Sequence, residues 1–76
     1  MTTMIRQNDE SYSDLGHRLW QLAGLDTGDI NRLTRGGRMD GAYSVAGKLY
    51  EAGHRCEDVD GKPLSMASLI SLWLQS

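Results

Sequence analysis

The sequence is short of the features that stabilise or anchor small proteins. Its 76 residues include one cysteine, Cys56, which cannot form a disulfide bond within a single chain. No run of about 18 apolar residues occurs, and residues 1–10 are polar, without the apolar core of a secretory signal. We therefore expect no disulfide, no membrane span and no contact with membranes, and the sequence predicts a cytoplasmic protein.

The sequence also lacks the short motifs that carry common chemistries. It has no glycine-rich phosphate loop after a strand, no Gly-x-Ser-x-Gly turn and no His-Glu-x-x-His helix. Cys56 with His54 or His17 would need a third group to orient the histidine before the pair acted as nucleophile and base. His54, Cys56 and Asp58 alternate, but the second ligand cluster of a structural zinc site is missing. We expect no enzyme activity, no metal site and no cofactor.

Size and charge narrow the classes of function further. A chain of 76 residues supports one core, and a core this small is marginally stable unless a partner adds to it. The formal charge of −2 argues against a protein that coats nucleic acid nonspecifically. The cations are uneven, however, because residues 30–39 contain Arg32, Arg35 and Arg38 without one acid. One side of the molecule can therefore be basic, and we expect either a homo-oligomer or docking on a partner.

The spacing of apolar residues predicts an all-α fold, a small bundle of four short helices. The predicted helices span residues 13–23, residues 27–35 and residues 41–52, with a C-terminal helix that opens at Ser65. Residues 1–10 show no periodicity and are predicted to be a flexible lead-in to a single helical domain over residues 11–76. The Asp60-Gly61 turn leaves open either a loop or a minimal hairpin near residues 54–64.

The C-terminal helix is predicted to be buried on more than one side. Residues 63–76 carry no charge, although a surface helix keeps charged residues on its solvent side. Its apolar face consists of Met66, Leu69, Ile70, Trp73 and Leu74. Burial would come either from a central position in the bundle or from a partner chain, so these five residues are the candidate dimer or partner interface.

Apolar residues also lie at fixed distances from Gly24, which separates the first two predicted helices. They stand five before, one before, one after, six after and nine after this glycine: Leu19, Ala23, Leu25, Ile30 and Leu33. The pattern over residues 13–35 resembles the helix-turn-helix unit of the phage repressor and Cro-like family, in which two helices share a small core across a tight turn. The same five residues equally suit the core of a plain helical bundle.

The resemblance implies a small transcriptional regulator that binds duplex DNA as a dimer. The second predicted helix would then lie in the major groove, where arginine suits guanine edges and asparagine suits adenine. The residues implied to face the groove are Thr27, Gly28, Asn31, Arg32 and Arg35. Arg38, just after them, is implied to contact phosphate.

The alternative function is a non-enzymatic protein-binding module, such as a phage- or plasmid-encoded inhibitor, an antitoxin-like adaptor or an assembly chaperone. Small size, acidic balance and a surplus apolar helix suit this class. Its buried anchors would come from Trp20, Tyr43, Tyr50 and Trp73. Tyr43 and Tyr50 share one side of the third predicted helix, which is typical of packing or interface residues.

Overall fold

The computed structural model describes residues 2–76 and contains strands as well as helices. In chain order the elements are β1 (Thr2–Ile5), α1 (Tyr12–Leu22), α2 (Asp29–Leu33), α3 (Arg38–Glu51), β2 (His54–Glu57) and α4 (Met66–Gln75). The prediction of an all-α fold is wrong, because residues 2–5 pair with residues 54–57 in a parallel sheet. The fold is mixed α/β.

The sheet has two strands and begins inside the segment predicted to be a flexible lead-in. Thr2 lies opposite His54 in the register, and the amide of Arg6, just after β1, donates to the carbonyl oxygen of Glu57 at 2.9 Å. The link from β1 to α1 is also held by side chains, since the guanidinium of Arg18 donates to both carboxylate oxygens of Glu10 at 2.7 and 2.8 Å. Charge-assisted bidentate contacts of this kind fix geometry strongly.

The chain after β2 makes a tight turn and returns beside the strand. The amide of Asp58 donates to the carbonyl oxygen of Lys62 at 2.8 Å, and the amide of Leu64 donates to the carbonyl oxygen of Cys56 at 2.9 Å. Gly61 has φ 84° in this turn, a left-handed conformation that favours glycine. The segment over residues 54–64 is therefore one strand followed by a short antiparallel return.

Serine caps set the first residues of α1 and α4. The hydroxyl oxygen of Ser11 accepts from the amide of Asp14 at 3.0 Å, and that of Ser65 accepts from the amide of Ser68 at 3.3 Å. Each cap satisfies a backbone amide that has no partner within its own helix. No helix within residues 2–76 combines the length and the apolar character needed to cross a membrane.

The two middle helices differ from their predicted bounds. The amide of Asp26 donates to the Asp29 carboxylate at 3.0 Å, and this contact closes a turn ahead of the helix. As a result α2 has only five residues. α3 begins at Arg38, earlier than predicted, because the break in the chain comes at Gly37, where φ is 124°.

α4 occupies the centre of the molecule, between α1 and α3. Its Ile70 is fully buried, as are Leu15 and Leu19 of α1 and Ala42 of α3. α1 approaches α4 so closely at Gly16 that an added Cβ atom there would lie 2.0 Å from the backbone oxygen of Leu69. The C-terminal helix is thus buried by its own chain, and a partner chain is not needed to explain its lack of charge.

Candidate interaction sites

Most residues implied to face DNA lie exposed along one short stretch. These exposed residues are Thr27, Gly28, Asn31, Arg32 and Arg35. The helix that carries Asn31 and Arg32, α2, is only about 7.5 Å long at about 1.5 Å per residue. Within residues 2–76 the side chain of Arg35 has no ion-pair or hydrogen-bond partner, so its guanidinium is open to solvent.

Carboxylates stand beside the arginines of this stretch. The guanidinium of Arg32 donates to the Asp29 carboxylate at 2.8 Å, and this hydrogen bond holds the pKa of Asp29 below its ordinary value. Asp29 therefore stays ionised at neutral pH and offsets the charge of Arg32. Asp26 adds a second carboxylate at the start of the stretch, so Arg35 supplies the remaining positive charge.

Arg38, which the resemblance implies to contact phosphate, makes a contact within the fold. Its guanidinium donates to the carbonyl oxygen of Leu74 in the last turn of α4. The last carbonyl groups of a helix lack partners within the helix, and a cation there also complements the helix dipole. Arg38 therefore caps α4 and ties the start of α3 to it.

The five candidate interface residues of the C-terminal helix face the interior of the chain. Four are buried: Met66, Leu69, Ile70 and Leu74. Trp73 is half-buried, with its indole stacked on the imidazole of His17 at a ring-centroid distance of 4.6 Å and tilted against Trp20 at 5.3 Å. The structure brings these residues together as core, so they offer little free surface to a partner.

An open groove lies along α3 at the edge of the core, since four buried core residues are among those that line it. Its volume is about 560 Å³, and its walls come from α3, from β2 and from the segment that leads into α4. We call it the tyrosine groove and define it by these residues: Tyr43, Ala46, Gly47 and Tyr50, residues 55–57 and residues 63–67. Its lining is mainly apolar.

Two tyrosines stand at the rim of the tyrosine groove with small residues between them. Tyr43 is 62% exposed and Tyr50 is 59% exposed, although both rings have large apolar surfaces. A Cβ atom added to Gly47 would meet no other atom within 4 Å, so the space between the rings is open. Exposed aromatic residues beside an open apolar groove are typical of protein interfaces.

The floor of the tyrosine groove includes the only thiol of the chain. Cys56 is 3% exposed, and burial raises the pKa of its thiol to about 11. The thiol therefore stays protonated at neutral pH. A cysteine that acts as a nucleophile or metal ligand does so as a thiolate. Cys56 acts here as a small apolar side chain.

The cation at the rim of the tyrosine groove is Arg55. Its guanidinium lies 3.6 Å from the centroid of the Tyr50 ring and donates to the carbonyl oxygens of Tyr50 and His54 at 3.1 and 2.7 Å. No carboxylate within residues 2–76 lies within ion-pair distance of it. The stacking orders the arginine while leaving its charge unpaired.

Sequence reasoning located part of this site. It named Tyr43 and Tyr50 as anchors, and it also named Trp20, which is fully buried and donates its indole N–H to the carbonyl oxygen of Asp26 at 2.9 Å. It did not find the walls from β2 and residues 63–67, because the sequence does not show how these segments fold back against α3. A usable signal was the adjacent pair of small residues, Ala46 and Gly47, between the two tyrosines.

The described residues contain no group of three histidine, cysteine, aspartate or glutamate side chains placed to hold a metal ion. In comparisons with known proteins the chain matches no protein-family model, no curated protein and no solved structure. The likeness to the helix-turn-helix family therefore stays a prediction from the sequence.

Proposed function

We propose that this chain is a non-enzymatic protein-binding module whose partner docks an apolar segment in the tyrosine groove. The observation that carries the proposal is the pair of exposed rings, Tyr43 and Tyr50, which stand along one wall of an open groove with a mainly apolar lining. The buried free thiol of Cys56 fits the reducing cytoplasm, where we propose that the module acts.

The energetics of docking favour the two tyrosines as anchors. Covering about 100 Å² of each ring at about 25 cal/mol per Å² contributes about 2.5 kcal/mol per tyrosine, before the entropic costs of association. A tyrosine has few rotatable bonds, so little side-chain entropy is lost when it is fixed. Arg55 already holds one face of Tyr50, which orders that ring in the free chain.

The experiment is site-specific photo-crosslinking in cells that produce the protein. A photoreactive phenylalanine analogue replaces Tyr43 in the test protein and Gln21, exposed on α1, in the control. We expect a defined crosslinked product from position 43 only. Gly47→Arg, whose added Cβ atom meets no other atom within 4 Å, is expected to fill the groove and abolish that product. Equal products from both positions, or no product from position 43, would contradict the proposal.

A second candidate function is the DNA-binding transcriptional regulator, which the exposed positions of Asn31, Arg32 and Arg35 support. The test is binding to mixed-sequence duplex DNA at low and at physiological salt. A complex that weakens as salt rises and is lost in the double variant Arg32→Ala, Arg35→Ala supports this function, because phosphate contacts release counterions. Absence of any complex at low salt excludes it. Circular dichroism checks that the variant stays folded.

A further inference from the structure

We infer that a second copy of this chain occupies the tyrosine groove, with the two α3 helices packed antiparallel about a two-fold axis. The inference rests on the proposed function in treating the groove as a protein-binding surface, and it names the partner. No segment within residues 2–76 covers the groove, so its apolar lining is open to a second copy of the chain.

The side chains that α3 contributes to the groove follow the same order of sizes in both directions along the helix. Tyr43, Ala46, Gly47 and Tyr50 follow one another at intervals of three, one and three residues, which gives the order large, small, small, large. An isologous interface needs a surface that is complementary to itself, since every contact occurs twice. A two-fold axis beside Ala46 and Gly47 places Tyr43 of each copy next to Tyr50 of the other.

The small residues at the axis allow the two helices to approach closely. Helix axes pack about 8–10 Å apart, and the lower values require small side chains at the crossing. Gly47 has no Cβ atom, and the space above it is open. The exposed rings on either side then enter the groove of the opposite copy, whose walls are apolar.

The charges of this surface favour the antiparallel arrangement. Asp40 is exposed in the first turn of α3, and Arg55 stacks on Tyr50 near the other end of the helix, about 15 Å away at about 1.5 Å per residue. Neither side chain has an oppositely charged partner within residues 2–76. An antiparallel copy brings Arg55 of each chain towards Asp40 of the other, whereas a parallel copy brings like charges together.

Other charged residues on α3 do not change this preference. Lys48 and Glu51 lie on the exposed flank of the helix, three residues apart and opposite in sign. They therefore add no net charge to either end of the surface. Glu57 also lines the tyrosine groove, two residues after Arg55 on β2, and its negative charge opposes the approach of Asp40 from a second copy. The charge reversals at Asp40 and Arg55 therefore test the orientation directly.

The inference is tested by sedimentation equilibrium of the full chain over a wide range of concentrations. We expect a monomer–dimer equilibrium. Arg55→Asp alone or Asp40→Arg alone sets like charges together twice in each dimer, which is expected to raise the dissociation constant about ten-fold or more. The double variant restores opposite charges and is expected to return the constant to within a few-fold of the original.

Two further variants serve as controls for the dissociation constant. Arg35→Asp, which reverses an unpaired charge away from the groove, is expected to leave the dissociation constant unchanged. Gly47→Arg keeps its helix but blocks the close approach, so it is expected to be monomeric. Circular dichroism of every variant checks folding, since Asp40→Arg opposes the dipole of α3.

The outcomes separate the inference from the proposed function. A chain that is monomeric at every concentration, or a dimer whose constant ignores both single reversals, overturns the inference. So does a double variant that is no better than the single ones. If the chain is monomeric and position 43 still crosslinks to a different protein, the proposed function stands while the inference fails. If no product forms at all, both fail.

Discussion

Arg6 and Asp58 form an ion pair that links the residue just after β1 to the residue just after β2, with the guanidinium Nε atom 2.7 Å from a carboxylate oxygen. The second carboxylate oxygen accepts a hydrogen bond from the hydroxyl group of Tyr12 at 2.7 Å. The guanidinium also lies 4.7 Å from the centroid of the Tyr12 ring. One carboxylate therefore holds the chain just after β1 and the first residue of α1 against the turn that follows β2.

Replacement of this carboxylate is expected to loosen β1. Asp58→Ala removes partners of both Arg6 and Tyr12, so we expect a lower melting temperature and faster hydrogen exchange at the amide of Arg6. Asp9→Ala, ahead of α1, is the matched control, because the Asp9 side chain is exposed and makes no hydrogen bond or ion pair within residues 2–76. Equal effects of the two substitutions would show that the Asp58 contacts do not stabilise the sheet.

The stability of the fold is expected to decrease in acid through the same carboxylate. The hydroxyl group of Tyr12 and then the guanidinium of Arg6 lower the pKa of Asp58 from 3.8 to about 2. A lowered pKa in the folded state means that the carboxylate stabilises the fold above about pH 4, and that this contribution is lost as the pH falls towards 2. Urea unfolding of the wild type and Asp58→Asn should therefore differ at neutral pH and converge near pH 2. A constant difference would contradict the assignment.

The two glycines Gly16 and Gly47 are expected to respond oppositely to the same substitution. Gly16→Ala places a Cβ atom 2.0 Å from the backbone oxygen of Leu69, so α1 and α4 must separate, at a cost of about 3 kcal/mol or more. Gly47→Ala meets nothing within 4 Å and is expected to stabilise α3 by about 0.5–1 kcal/mol. Denaturant unfolding in dilute solution measures both, and a Gly16→Ala variant as stable as the wild type would exclude the close approach.

A second pair of variants compares Arg38, which caps α4, with Arg35, which has no partner within residues 2–76. Arg38→Ala removes the donor to the carbonyl oxygen of Leu74 and is expected to destabilise the fold by about 0.5–1 kcal/mol. Arg35→Ala removes a side chain without a partner and is expected to change stability by less than about 0.5 kcal/mol. Thermal unfolding of the two variants under the same conditions makes the comparison. The reverse order would argue against the cap on α4.

The thiol of Cys56 is expected to be protected in the folded chain. It is 3% exposed and its pKa is raised to about 11, so a thiol reagent at mildly alkaline pH meets neither an accessible sulfur atom nor a thiolate. Labelling should be slow in buffer and fast in urea, with a rate that follows unfolding. Fast labelling of the folded chain would show that the floor of the tyrosine groove opens to solvent.

The helices were predictable because their signals are local. Ser11 and Ser65 precede apolar residues at helical spacing, and glycine follows three of the four predicted helices. The lack of charge after Pro63 likewise predicted a helix buried on more than one side, which its position between α1 and α3 confirms. That signal reports burial and not what covers the helix, so the source of the burial needed the structure.

The strands were not predictable for the opposite reason. β1 has four residues, two of them threonine, and its partner lies 52 positions further along the chain. Four residues are too few to show a clear periodicity, and the strand depends on hydrogen bonds to a distant segment that the local sequence does not reveal. The tyrosine groove was not predictable for a different reason, since its shape depends on how β2 and residues 63–67 fold back against α3.

The parallel pairing of β1 with β2 also imposes an order of events on folding. α1, α2 and α3 all lie between the two strands, so β1 cannot pair until the chain has been synthesised as far as residue 57. Contacts between positions this distant are entropically costly to form first, whereas helices close over a few residues. We therefore expect the individual helices to form first, and the sheet to form together with the packing of α1 against α4, whose partners are about as far apart in the chain.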